Sequence, residues 1–190
     1  MLLFLVAAAI AGSLPPDVRP WPIGVGPDYR IPAAPAAVRR GAAVGPFRCL
    51  PPGAPTFAVH VELFAHRRVV IVPAGIGVSR PRWDRFGQRL SGRCTYPLST
   101  ADTSGVVHVR SPGGARLADL FRIWGRPLGR RTLAGFRSRT PLVAFVDGKR
   151  WRGDPRAIPL ARHGQIVLEL DGYVPPHPRY LFPDGPRARG

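Results

Sequence analysis

Hydrophobic and polar positions alternate most regularly from residue 57 to 64. Phe57, Val59, Val61 and Leu63 fall on one face of an extended chain, and His60, Glu62 and Phe64 on the other. A polar turn at His66-Arg67-Arg68 leads into Val69-Val70-Ile71-Val72, so the pattern predicts a hairpin. Val106-Val107-His108-Val109-Arg110 predicts a further strand. Over residues 115–124 the period lengthens to that of a helix: Leu117, Leu120, Phe121 and Trp124 share one stripe, and Gly125 ends it. Residues 142–146 return to a strand pattern, Asp147-Gly148 is a hairpin-type turn, and Gln165-Ile166-Val167-Leu168-Glu169-Leu170 predicts the last strand. Strands, one main helix, then strands imply an α+β fold. A small mixed sheet with the helix across one face, β-grasp-like, is the economical packing.

Outside residues 56–172 the periodicity fails. Residues 12–55 hold eleven of the 24 prolines and read as an extended tether of partly polyproline character. Residues 173–190 form a second Pro-rich stretch, a tail. Residues 2–11 are uninterruptedly apolar and end in Ala9-Ile10-Ala11, small residues where signal peptidase cuts, so residues 1–11 are expected to be a signal peptide or the remnant of an anchor. The run is half the roughly 20 residues a membrane-spanning helix needs. With Gly and Pro together at 46 of 190 residues, long helices, coiled coils and multi-span bundles are excluded.

Export bears on the cysteines. Cys49 and Cys94 have neither CxxC nor zinc-knuckle spacing, and in an oxidising compartment two isolated cysteines most simply form one disulfide. Such a bridge stabilises by roughly 3–4 kcal/mol; the alternative is two separate buried thiols. Charge bears on the partner. The chain has 28 bases, all but Lys149 being Arg, against 11 acids, a net charge of +17. Guanidinium pairs bidentately with phosphate and carboxylate, and an exported chain meets anionic lipid headgroups or wall polymer rather than nucleic acid. If residues 80–93 are helical, Arg82, Arg85, Arg89 and Arg93 share one side beside Trp83, Phe86 and Leu90, a basic amphipathic segment suited to an anionic surface. Gly87 weighs against that helix. Arg126, Arg130, Arg131, Arg137 and Arg139 form a second cluster.

Residues able to do chemistry are few. His60 and Glu62, two apart on a strand, point to one side, with His108 on another strand and Asp102 on the loop feeding it. Imidazole and carboxylate together suit a copper or zinc ion. Asp102-Thr103-Ser104-Gly105 followed by His108 permits a serine nucleophile, but no oxyanion donor is apparent and turn chemistry accounts for the four residues. There is no GxSxG elbow, HExxH, P-loop or GxGxxG opening a helix.

Several segments stand in a telling order: Val72-Pro73-Ala74-Gly75-Ile76-Gly77, then residues 94–109 from Cys94-Thr95-Tyr96-Pro97-Leu98 to Val107-His108-Val109, then Leu120-Phe121-Arg122-Ile123-Trp124-Gly125. Over residues 49–183 the chain resembles an uncharacterised family of exported or membrane-tethered bacterial proteins, with HxHxHL, VPAGIG, CLYxLHTHDxxGxIHIES and FFxxWG motifs in that order. The clustered histidines of that family imply a metal site. Here Thr56 and Ala58 replace the first two histidines of the triple, and Ser99 and Ala101 replace two more, leaving His60, Asp102 and His108. The resemblance therefore implies a degenerate site at His60, Glu62, Asp102 and His108. The reading that results is a non-enzymatic envelope binding domain with an Arg-rich contact surface. Its alternatives are a metal-binding protein and, behind it, a hydrolase.

Overall fold

A computed structural model describes residues 24, 26–33, 35–83, 89–110 and 113–182. In chain order the elements are β1 (Tyr29–Arg30), α1 (Ala36–Arg40), β2 (Phe57–Ala65), β3 (Arg68–Ile71), β4 (Val78–Ser79), β5 (Arg82–Trp83), β6 (Arg89–Ser91) and β7 (Cys94–Thr95). There follow β8 (Leu98–Thr100), β9 (Val106–Val109), α2 (Leu117–Trp124), β10 (Leu128–Gly129), β11 (Thr132–Leu133), β12 (Phe136–Arg137), β13 (Val143–Val146), β14 (Lys149–Trp151) and β15 (Gln165–Leu170). The described chain is thus mostly β-sheet with two short α-helices, a mixed α+β arrangement. None of its helices is long and apolar enough to cross a membrane.

The main sheet has eight strands, and its path runs β1-β3-β2-β15-β13-β14, with β9 and β8 joined to β2. β2 and β15 lie side by side and parallel, from His60 opposite Gln165 to Ala65 opposite Leu170. On its other side β2 is shared. β9 pairs antiparallel with its first half, placing Ala58 opposite His108, and β3 pairs with Phe64 and Ala65 at the far end.

The alternation explains the packing. Val59, Val61, Leu63, Ile166, Leu168 and Leu170 form one apolar face, and α2 contributes Leu117, Leu120, Phe121 and Trp124 to the same core. A helix with its apolar residues on one stripe must bury that stripe, and a one-sided apolar sheet face supplies the partner. The backbone N–H of Arg116 donates to Asp119 Oδ2 at 2.9 Å at the start of α2, and Gly125 ends the helix at φ 71°, where a side chain would be strained.

Two expectations need correction. The described part of residues 80–93 is not a helix: β5 and β6 pair antiparallel, Arg82 opposite Ser91. Arg80 at φ 46° breaks any helix before it begins. The described part of residues 12–55, expected as a tether, packs onto the domain. β1 pairs with β3, Val38 is fully buried, and Tyr29, Ile31, Val44 and Phe47 lean on the core. Carbonyls of this irregular segment find donors on domain side chains. Trp124 Nε1–H donates to Pro32 at 2.9 Å, Ser79 Oγ–H to Arg39 at 2.9 Å and Arg68 Nε–H to Pro27 at 2.6 Å. A proline-rich chain without a ladder of its own is held in this way.

The disulfide is formed. Cys49 and Cys94 are bridged with their Cα atoms 5.4 Å apart, and Leu50 and Thr95 next to them exchange backbone hydrogen bonds at 2.9 and 2.8 Å. Residues 1–11, expected as a leader, and 183–190 of the tail lie outside the described residues.

Candidate functional site

The second face of the sheet carries the polar residues. Because β2 and β15 are parallel and in register, His60, Glu62 and Phe64 lie beside Gln165, Val167 and Glu169 on the side away from α2. Such a face would normally be wet. Here the described start of the tail roofs it. Val174 packs with Phe64, Val69 and Val167, the Tyr180 ring stacks on His60 with centroids 3.8 Å apart, and Phe182 meets both Tyr180 and His163. His60, Glu62, Gln165 and Glu169 are consequently all buried.

The hydrogen bonds settle the tautomer of His60. A carbonyl can only accept, so Nε2 carries the proton it donates to Ser104 O at 2.7 Å. Nδ1 lies 2.6 Å from the Gln165 side-chain oxygen and 3.6 Å from Glu62. Burial, the largest influence, holds the imidazole below its ordinary pKa. A neutral ring with Nε2 protonated needs a donor at Nδ1. The buried Gln165 amide nitrogen has no partner, and turning the amide over supplies that donor, leaving an acceptor rather than a donor group unpaired.

Glu62 is held from above. His177 Nδ1–H donates to its carboxylate oxygens at 2.9 and 3.1 Å. Its side chain is 1% exposed, against 34% for that of His177. Removing the imidazole leaves a buried carboxylate without this donor. His177→Ala is therefore expected to lower stability by about 1–2 kcal/mol, as read from urea unfolding near neutral pH. A loss below a few tenths would mean that solvent replaces His177 freely.

Glu169 sits further along β15. Its Oε1 has no hydrogen-bond partner among the described residues. Burial raises its pKa to about 7, partly opposed by the backbone N–H of Val174, which donates to it.

Of the four residues expected to hold a metal, the structure brings His60 and Glu62 together and sets Asp102 one link away. Asp102 Oδ1 accepts the Ser104 N–H at 2.9 Å and the Ser104 hydroxyl, and Ser104 in turn presents its carbonyl to His60. His108 shares the sheet face, opposite Ala58, but lines another hollow with Thr95, Ser99 and Arg110. Among the described residues no group of three or more His, Cys, Asp or Glu is placed to hold a metal ion. The hydroxyl that a serine nucleophile would use is engaged by Asp102, and Ser104 meets His60, not His108, at its carbonyl. His177, Tyr180, Gln165 and Glu169 escaped the sequence reading. The last two were visible as polar positions alternating along the final strand.

The described members of the expected anion-binding arginines lie on or beside the paired strands β5 and β6. Arg82 and Arg93 are exposed, Arg89 lies on β6, and Arg85 is outside the described residues. Trp83 beside Arg82 is 43% exposed and lies over Gly75. Elsewhere Arg122 pairs with Asp119 at 3.8 Å and Arg156 with Asp154 at 2.6 Å. With 11 acids to 28 bases the surface stays strongly cationic. Comparison with protein-family models, curated proteins and solved structures yields no match to this chain.

Proposed function

We propose that this chain is an exported, non-enzymatic binding domain of a cell envelope, one that holds anionic groups through its arginine surface. Lipid headgroups or wall polymer are the partners whose chemistry fits. The observation that carries the reading is the uncompensated guanidinium surface. The chain carries 28 bases against 11 acids, a net charge of +17, and among the described carboxylates Glu62 and Glu169 are buried and Asp154 is paired with Arg156. Such a field raises the local concentration of polyanions and speeds their capture. The Cys49–Cys94 bridge supports an oxidising compartment. A strand order of β3-β2-β15-β13-β14, with its two central strands parallel and α2 on one face, supports the β-grasp-like description.

The test is co-sedimentation with vesicles of phosphatidylglycerol in phosphatidylcholine, across a salt series. Binding to the anionic vesicles alone is expected, falling steeply as salt rises past 0.1 M, where the screening length is about 10 Å. Equal binding to pure phosphatidylcholine, or binding indifferent to salt, would defeat the reading.

A further inference from the structure

The strand at the end of the sheet path is β14, and a cleft of about 390 Å³ lies along it. Leu142, Trp151 and Pro155 line it, with Arg130, Arg150 and Arg152 exposed around them. The sequence explains why three guanidinium groups meet there. Arg150 on the edge strand and Arg152 just past its end flank Trp151, and pairing with β13 fixes the strand's backbone, Phe145 opposite Arg150. Arg130 arrives from the turn between β10 and β11, which is tied to β13 by the Leu142 N–H donating to the Arg130 carbonyl at 2.7 Å. Trp151 is fixed as well. Its Nε1–H donates to the Asp154 carbonyl at 3.1 Å, and Gly153 closes against the indole so tightly that a Cβ there would come within 2.9 Å of Nε1.

Asp154 stands close enough to the cleft for the charge of Arg130 to act on it, but its oxygens are taken up elsewhere. Asp154, the nearby carboxylate, is engaged by Arg156 through paired hydrogen bonds of 2.6 to 3.1 Å, and none of Arg130, Arg150 and Arg152 has an ion-pair partner among the described residues. Arg150 also borders the neighbouring hollow with Glu169 and Asp171, again without an ion pair. Three like charges held on fixed backbone repel one another unless an anion bridges them. A phosphate group, with several oxygens and more than one charge, can take bonds from more than one guanidinium at once. We infer that this edge cleft is a phosphate-group site, in which Arg130, Arg150 and Arg152 take the oxygens and the Leu142–Trp151–Pro155 surface receives the carbon part of the ligand. The inference rests on the reading of the chain as a binder of anionic groups. It moves the principal contact from the β5–β6 pair to the β14 edge.

The test uses the full, oxidised chain, its Arg150→Gln/Arg152→Gln variant and, as a comparison, Arg82→Gln/Arg93→Gln. Inorganic phosphate is titrated while the Trp151 indole N–H and the amides of residues 150–153 are followed by NMR, with chloride at matched ionic strength alongside. The expected result is a saturable shift with phosphate and not with chloride. It should weaken about tenfold in Arg150→Gln/Arg152→Gln and change less than about twofold in Arg82→Gln/Arg93→Gln. Arg130→Gln, which keeps the backbone bond to Leu142, should weaken it too and serves if the double variant folds poorly. The same proteins are then sedimented with phosphatidylglycerol vesicles. Parallel loss in Arg150→Gln/Arg152→Gln identifies the source as a lipid headgroup. Phosphate binding without vesicle binding keeps the cleft and makes the source a soluble or polymer-borne phosphate. Shifts equal in chloride, or phosphate affinity unchanged in Arg150→Gln/Arg152→Gln, overturn the cleft. If vesicle binding then survives and is lost in Arg82→Gln/Arg93→Gln, the anion-binding reading stands without it. Loss of both kinds of binding in the unmutated chain removes both.

Discussion

Opening the Cys49–Cys94 bridge, by reductant or by Cys49→Ala/Cys94→Ala, is expected to lower stability by about 3–4 kcal/mol. The bridge closes a loop of 45 residues, and releasing it gives the unfolded chain that much more freedom. The folded chain also has something to lose. The bridge fastens the Pro-rich segment before β2 to β7, beside the Leu50–Thr95 backbone pair and Arg110, whose Nη1 donates to Pro51 O at 2.8 Å and Thr95 Oγ1 at 2.9 Å. Without the cross-link, residues 44–55 are held by those contacts and by the packing of Val44 and Phe47 on the core. Urea unfolding of the oxidised and cysteine-free chains, followed by tryptophan fluorescence, measures the difference. A midpoint shift worth under 1 kcal/mol would show that the segment is held by its packing and that the unfolded ensemble gains little freedom.

That segment marks a boundary of what could be read in advance. Long-period signals were legible. The alternation of residues 57–64 and 165–170 and the helical stripe from Leu117 to Trp124 reappear as β2, β15 and α2, because each element buries one face against the same core. Residues 26–55 have no period, since Tyr29, Ile31, Val38, Val44 and Phe47 dock one at a time and their neighbours take hydrogen bonds from side chains far along the chain. The stretch 80–93 carried a helical period, but its described residues pair as β5 with β6, because the backbone at Arg80 outweighs a short amphipathic pattern. At the site, His60 and Glu62 were legible as a pair on one strand face. Their surroundings were not, because the contacts of Gln165 with His60 and of His177 with Glu62 span 105 and 115 residues. Only the parallel pairing of β2 with β15 creates the first, and only the tail crossing above creates the second.

The parallel pair also places a carboxyl group where burial favours its protonated form, and this gives the second large effect. Glu169→Gln is expected to raise stability at pH 8 by up to about 3 kcal/mol and to change it little near pH 4.5. The folded carboxyl titrates at about 7, above its ordinary value near 4.3. Between those limits folding takes up a proton, so this group's contribution is fully present below about pH 4.3 and is lost as pH rises through about 7. Glutamine has no proton to lose and keeps a similar shape, so the variant escapes the loss. His60 works in the opposite sense. Its folded pKa is depressed, so folding releases a proton and stability is lost as pH falls below about 6.5. Both proteins contain His60, and its effect cancels in their difference. Urea unfolding of the two chains at pH 4.5, 6, 7 and 8 should therefore give curves that nearly coincide at the acid end and diverge steadily toward alkaline pH. Curves parallel at all four values would show that water reaches Glu169 as readily in the folded chain as in the unfolded one. The roof formed by Val174 and Tyr180 would then be open in solution, exposing the polar face of β2 and β15.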